Sequence, residues 1–222
     1  MSAGALPESG RVALVSGADV GVGAQLVRRL SALGMRVVAG CRSVERGRRV
    51  VDGFGDLADR VAVRRLEVTD AGDVAQLTAW VAARLGRCDV LLCHLTARYA
   101  DPAAVPRAAV RDELTANLRG IRRLAHGVAP LMRTAGYGRV VTVSTGDFGS
   151  PGFTAAGSGL TRSGVDALTT VLSEDLGSGG ILVNSICPGP DAGGSGVPSS
   201  PVDTAVWLAT LPGDGPTGLL CG

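Results

Sequence analysis

Short apolar runs alternate along this chain with longer stretches of mixed, helical spacing. Val12 to Val15, Met35 to Cys41, Val61 to Val68, Cys88 to Leu95, Arg139 to Ser144, Gly180 to Cys187 and Thr217 to Cys221 are the runs. Apolar runs of this length bounded by turn residues predict strands buried on both faces. Between them, Ala24 to Leu33, Ser43 to about Gly53, Thr69 or Asp70 to Leu85, about Pro106 to Thr134, Gly157 to Leu176, and Pro201 or Val202 to Leu211 predict helices. Ser43 and Thr69 or Asp70 are the residue types that cap helix starts. No internal boundary or repeat interrupts the alternation. It predicts one α/β domain over 1–222, a doubly wound parallel sheet of about seven strands with helices on both faces. The ligand cleft of such a sheet lies at the C-terminal strand ends. Residues 1–10 read as a loose polar arm, and 188–201 as a short loop rich in Gly, Pro and Ser.

The chain is organised around its first strand, the turn Ser16 to Gly23 and the helix that follows. Glycines at 17, 21 and 23 let the backbone turn sharply and approach a ligand. The helix aims its free N–H groups and positive dipole end at that turn, where a phosphate can bind. The alternative is a tight turn with no ligand.

Composition narrows the partners. Hydrophobic residues make up 45% of 222 and mean hydropathy is +0.27, enough for a sizeable core. Net charge is only +2, which gives no sign of a nucleic-acid or membrane-surface partner. All 22 basic residues are arginine, and the chain contains no lysine. Five unpatterned cysteines, at 41, 88, 93, 187 and 221, fit a reducing, cytoplasmic setting. The first ten residues lack an apolar run, which predicts no signal peptide. No stretch approaches the roughly 20 apolar residues of a membrane span. No His/Cys spacing suggests a metal site.

Several segments, in order, resemble the short-chain dehydrogenase/reductase (SDR) family, nearest to carbonyl-reductase-like members. These are Ser16 to Gly23, Leu66 to Asp70, Asn117 within Thr115 to Leu118, Val183 to Gly189, and Asp203 to Ala209. The resemblance implies a Rossmann-like fold. It implies cofactor contacts from Ser16, Gly17, Gly21, Val22, Gly23, Arg42, Glu67, Pro188 and Gly189. Arg42, just after the second strand, suits the 2′-phosphate of NADP(H). The resemblance also implies a homodimer or tetramer built on the two long helices, and a substrate lid, here shortened, at 188–201.

The family's catalytic serine, tyrosine and lysine align with Thr145, Ser158 and Arg162. A tyrosine whose pKa is lowered by a neighbouring ammonium can exchange a proton near neutral pH. A serine hydroxyl needs an adjacent base, and an arginine stays cationic. Thr145 keeps a hydroxyl, and Asn117 keeps the implied role of holding a helix and a water. The family's asparagine-rich segment after the fourth strand is replaced by Cys93-His94-Leu95-Thr96, and Thr96 stands where a glycine would lie close to the ribose. His94, at a strand end, is a candidate acid or base, or else a histidine filling the space of a lost asparagine. Asp147 is a candidate carboxylate at the cleft, or else a turn residue. Ser158, His94 and Asp147 invite a nucleophile–base reading, but no spacing or G-x-S-x-G elbow supports it.

Three functions fit. The first is a non-redox enzyme, such as a cyclase, dehydratase or isomerase, on a small specialised metabolite. The second is an NADP-dependent oxidoreductase reducing a reactive carbonyl or imine with a non-standard proton donor. The third is an inactive partner of an active relative. The replaced catalytic set, with His94 and Asp147 at the cleft, puts the non-redox enzyme first.

Overall fold

The computed structural model of the chain describes residues 8–95, 106–144, 155–187 and 200–221; within these, the side chains of residues 95, 107, 110, 113 and 155–162 are not described. Seven parallel strands form one sheet in the order β3-β2-β1-β4-β5-β6-β7. They are β1 Val12–Ser16, β2 Arg36–Cys41, β3 Val61–Arg65, β4 Val90–Leu95, β5 Gly138–Ser144, β6 Ile181–Ile186 and β7 Leu220–Cys221. The helices are α1 Gly21–Ala32, α2 Val44–Asp52, α3 Ala71–Leu85, α4 Arg107–Ala135, α5 Ala155–Leu176 and α6 Pro201–Ala209. The order reverses between β1 and β4, so a crevice opens there at the carboxyl ends of the strands.

The two faces of the sheet carry separate cores. Leu26, Val27 and Leu30 of α1 pack with Val202, Ala205 and Leu208 of α6 over one face. Val74, Leu77 and Val81 of α3, Leu124 and Val128 of α4, and Leu172 of α5 cover the other. Alternation along β1 feeds both: Ala13 and Val15 belong to the first core and Leu14 to the second. Small residues in α5 serve packing within the chain. A Cβ at Gly164 would lie 2.9 Å from Leu118 of α4.

Several boundaries differ from expectation, each for a local reason. The 3-10 turn Glu8–Gly10 orders the end of the expected loose arm, and Glu8 pairs with Arg11. Helix α1 begins at Gly21 rather than Ala24, with the Ala24 amide donating to the Val20 carbonyl at 3.2 Å. Strand β3 ends at Arg65 rather than Val68, because the Asp73 carboxylate takes the Glu67 amide at 2.8 Å. Asp70, not Thr69, caps α3, accepting from Gly72 and Asp73 at 2.7 and 3.1 Å. Strand β7 shrinks to two residues because side chains replace its ladder: the Asn184 carbonyl takes the Leu219 amide at 2.9 Å, and Thr217 takes the Val183 amide at 3.1 Å.

A buried carboxylate fixes the other end of the sheet. Asp89 is 0% exposed and accepts from the Val12 amide at 2.8 Å and from Arg87 at 2.7 Å through both oxygens. Removing it leaves a guanidinium and a strand amide without their acceptor, which typically costs about 3 kcal/mol. Asp89→Ala should therefore lower unfolding stability by about 3 kcal/mol, measured by urea denaturation. A loss within about 0.5 kcal/mol would mean that water replaces the carboxylate fully.

Candidate active site

Strand β1 delivers Ser16 to the crevice between Gly40 of β2 and Cys93 of β4. The chain then enters the left-handed region at Gly17 (φ 64°) and again at Gly21 (φ 49°). No described atom lies within 4 Å of a Cβ placed at Gly21, so that side of the turn is open. Gly23 is the reverse case: a Cβ there would lie 2.1 Å from the Gly17 carbonyl oxygen. Only glycine lets α1 begin this close to the end of β1. Val22, half-buried, packs against the first core and anchors the helix start. Among the described residues the turn thus combines a tight backbone, open space over Gly21 and a helix N-terminus, features that suit a phosphate.

His94 supports this turn from beneath. Cβ atoms placed at Gly17 and Gly23 would lie 3.4 and 3.2 Å from its Nδ1. The residue is 7% exposed. Burial pulls its pKa down to about 4, opposed by hydrogen bonding to the Gly17 backbone. The imidazole is therefore neutral at physiological pH and faces the loop. The ring fills space against the glycine turn.

The other implied residues divide clearly. Ser16 ends β1, buried, beside the Cys93 thiol, which burial pushes up to about 12. Arg42 follows β2 directly and is half-buried, and its carbonyl accepts from Arg65, which also binds Asp73 at 3.0 Å. Glu67 turns back on its own loop, accepting from the Thr69 hydroxyl at 2.9 Å and the Thr69 amide at 3.3 Å. Asn117 shares a helix face with Gly120, Ile121 and Leu124, the face that packs on the sheet. There a Cβ at Gly120 would lie 2.0 Å from the Val68 carbonyl, so α4 crosses directly over the loop that follows β3. Positions 158 and 162 fall one turn apart on α5. Thr145, Asp147, Pro188 and Gly189 lie outside the described residues, as do Thr96 and the lid segment before Ser200.

Sequence reasoning missed Asp19. It lies within the glycine turn, 3% exposed, with Oδ2 accepting from Arg46 Nε at 2.9 Å. An acidic residue between the motif glycines was the available signal. Tyr137, one of two tyrosines, sits at the far end of the sheet with Arg11 and Arg139 stacked on its ring at 3.9 and 3.8 Å. It cannot stand in as a proton donor at the crevice.

Residues 11–193 match the short chain dehydrogenase family, and the chain belongs to it. It is 33% identical over 188 residues to the cis-4-hydroxycyclohexanecarboxylate dehydrogenase of Sinomonas cyclohexanicum, covering 81% of this chain and 72% of that one. It is 27% identical over 192 residues to the acetoacetyl-CoA reductase of Allochromatium vinosum, covering 81% and 74% respectively. A metagenomic short-chain oxidoreductase solved in complex with NADP superposes with a TM-score of 0.77 at 25% identity, covering 96% of each chain. The relatives are oxidoreductases. Among the described residues no helix is long and apolar enough to cross a membrane, and no group of His, Cys, Asp or Glu is placed to hold a metal ion.

The buried His94 has a pH signature. The folded pKa of His94, about 4, lies below the ordinary 6.5, so the unfolded chain takes up the proton first. Stability from keeping His94 neutral is full above pH 6.5 and lost as pH falls toward 4, by about 3 kcal/mol. His94→Asn should remove that part of the slope in urea titrations at pH 7 and pH 4.5. Parallel profiles for the two proteins would show that His94 is not held neutral.

Proposed function

We propose that this protein is an atypical oxidoreductase that binds a nicotinamide dinucleotide across the β1–β4 crevice and reduces a small, reactive carbonyl or imine. The observation that carries this is the formed cradle: the closure of Gly23 on Gly17, with open space over Gly21. Those glycines fit the pyrophosphate of such a cofactor, and Arg42 fits its 2′-phosphate. When bound, the cofactor supplies hydride.

The chain's own residues supply position. The turn N–H groups and the α1 N-terminus hold the phosphates, and neutral His94 keeps the turn from collapsing. Ser158 and Arg162 stand where the family's tyrosine and lysine are expected, and the chain offers no lysine at all. Neither residue delivers a proton readily near neutral pH. Solvent is therefore the proton source in this reading, which restricts substrates to those that accept hydride without strong acid assistance. Asp147 remains a candidate carboxylate, and Thr145 a candidate hydroxyl donor to the substrate oxygen.

One observation favours a second reading, a non-redox enzyme using the same crevice: the whole tyrosine–lysine pair is replaced. It now ranks second, because its proposed acid–base group, His94, lies under the turn. Self-association through α4 and α5 accompanies either reading.

Calorimetry on cofactor-stripped protein tests the first reading. NADPH should bind at micromolar concentration, and Arg42→Ala should weaken it about tenfold while leaving NADH nearly unchanged. No heat with either cofactor at millimolar concentration would overturn it in favour of non-redox chemistry or a partner role.

Gly23→Ala provides a structural control. Its Cβ would require the backbone to shift, so cofactor binding should vanish even if the fold survives. Gly21→Ala meets open space and should cost only the left-handed strain of about 1–2 kcal/mol, with partial binding retained. Equal loss of binding in both variants would mean that the Gly23–Gly17 closure is not what shapes the cradle.

A further inference from the structure

Asp19 is built into the glycine turn in an unusual electrostatic position. Its side chain is 1% exposed, and one carboxylate oxygen meets Arg46 Nε at 2.9 Å. The other oxygen, Oδ1, is buried and has no hydrogen-bond partner among the described residues. Arg46 belongs to the first turn of α2 and is half exposed, at 50%. The pair therefore ties the glycine turn to the segment just after β2. A second tie lies beside it, from the Ala18 amide to the Gly40 carbonyl at 3.2 Å. Cys41, the residue before Arg42, feels both charges: burial first and then Asp19 push its thiol up to about 12, and Arg46 pulls the other way.

This corner is where an adenine dinucleotide presents its 2′-position to the residues that follow the second strand. Arg42 and Arg46 together would offer two cations there. Asp19 offsets one of them at short range, from a buried position opposite the half-exposed Arg46. It also places a negative charge two residues before α1, at the positive end of the helix dipole. The pairing with Arg46 opposes an incoming 2′-dianion more than an uncharged hydroxyl, whereas the charge at the helix end acts on the pyrophosphate of both cofactors alike.

We propose that Asp19 is a specificity-setting residue that disfavours the 2′-phosphate of an adenine dinucleotide, holding the cleft's preference for NADPH over NADH below what Arg42 and Arg46 would otherwise give. This rests on the proposed binding of a nicotinamide dinucleotide. Asp19 makes the contact through charge, not shape, so an isosteric neutral side chain should release it.

The test is calorimetric binding of NADPH and NADH to the full chain and to Asp19→Asn, with thermal melting of each. Asp19→Asn should tighten NADPH about tenfold and change NADH by less than about threefold. Asp19→Ser, which removes the charge without the amide, should move the ratio the same way. An unchanged or falling NADPH-to-NADH preference, with both cofactors still bound, would overturn this inference and leave the cofactor reading standing. Failure of both variants to fold would identify the carboxylate as a structural latch and overturn it as well. Absence of binding by either cofactor to the native chain would overturn the cofactor reading, and this inference with it.

Discussion

The closure of Gly23 on the carbonyl of Gly17 is the constraint on which the rest of the crevice depends. A Cβ at position 23 would sit 2.1 Å from that oxygen, so α1 can start where it does only because the side chain is absent. That start point aims the helix N-terminus at the open side of Gly21 and places the α1 face over Val15, Ala39 and Leu92. His94 completes the arrangement from below. It exchanges solvation for packing, and the cost appears as its depressed pKa.

Much of the fold was legible because buried parallel strands read as continuous apolar runs. Among the described residues, seven strands and six helices fall near where the alternation predicts. Boundaries were less legible where side chains replace backbone partners. Asp73 ends β3 early, and Asn184 with Thr217 shortens β7. No periodicity records such exchanges. Among the expected cofactor residues, Gly17 and Gly21 adopt the left-handed region, and Glu67 accepts from Thr69. The direction His94 faces depends on two missing Cβ atoms in another element, which a strand pattern does not show. Asp19 was overlooked because its significance is its burial, and burial of a turn carboxylate is set by the tertiary partner Arg46.

The chain keeps the architecture of its family, and it contains no lysine. The cradle is backbone, so it tolerates side-chain change everywhere except at its glycines. Proton transfer requires particular side chains, and the only described tyrosine, Tyr137, is held in an arginine sandwich at the opposite end of the sheet. In the proposed reading, hydride positioning rests on the backbone cradle and acid catalysis on side chains. That asymmetry is the physical reason for placing a redox reading ahead of a wholly new chemistry.

The most direct test is a 1H–15N correlation spectrum of the labelled protein titrated with NADH. The amides of Gly17, Gly21 and Gly23 and of the first turn of α1 should shift together and saturate. Shifts confined to residues away from this turn, or none at millimolar NADH, would contradict the claim that the turn is a working dinucleotide cradle.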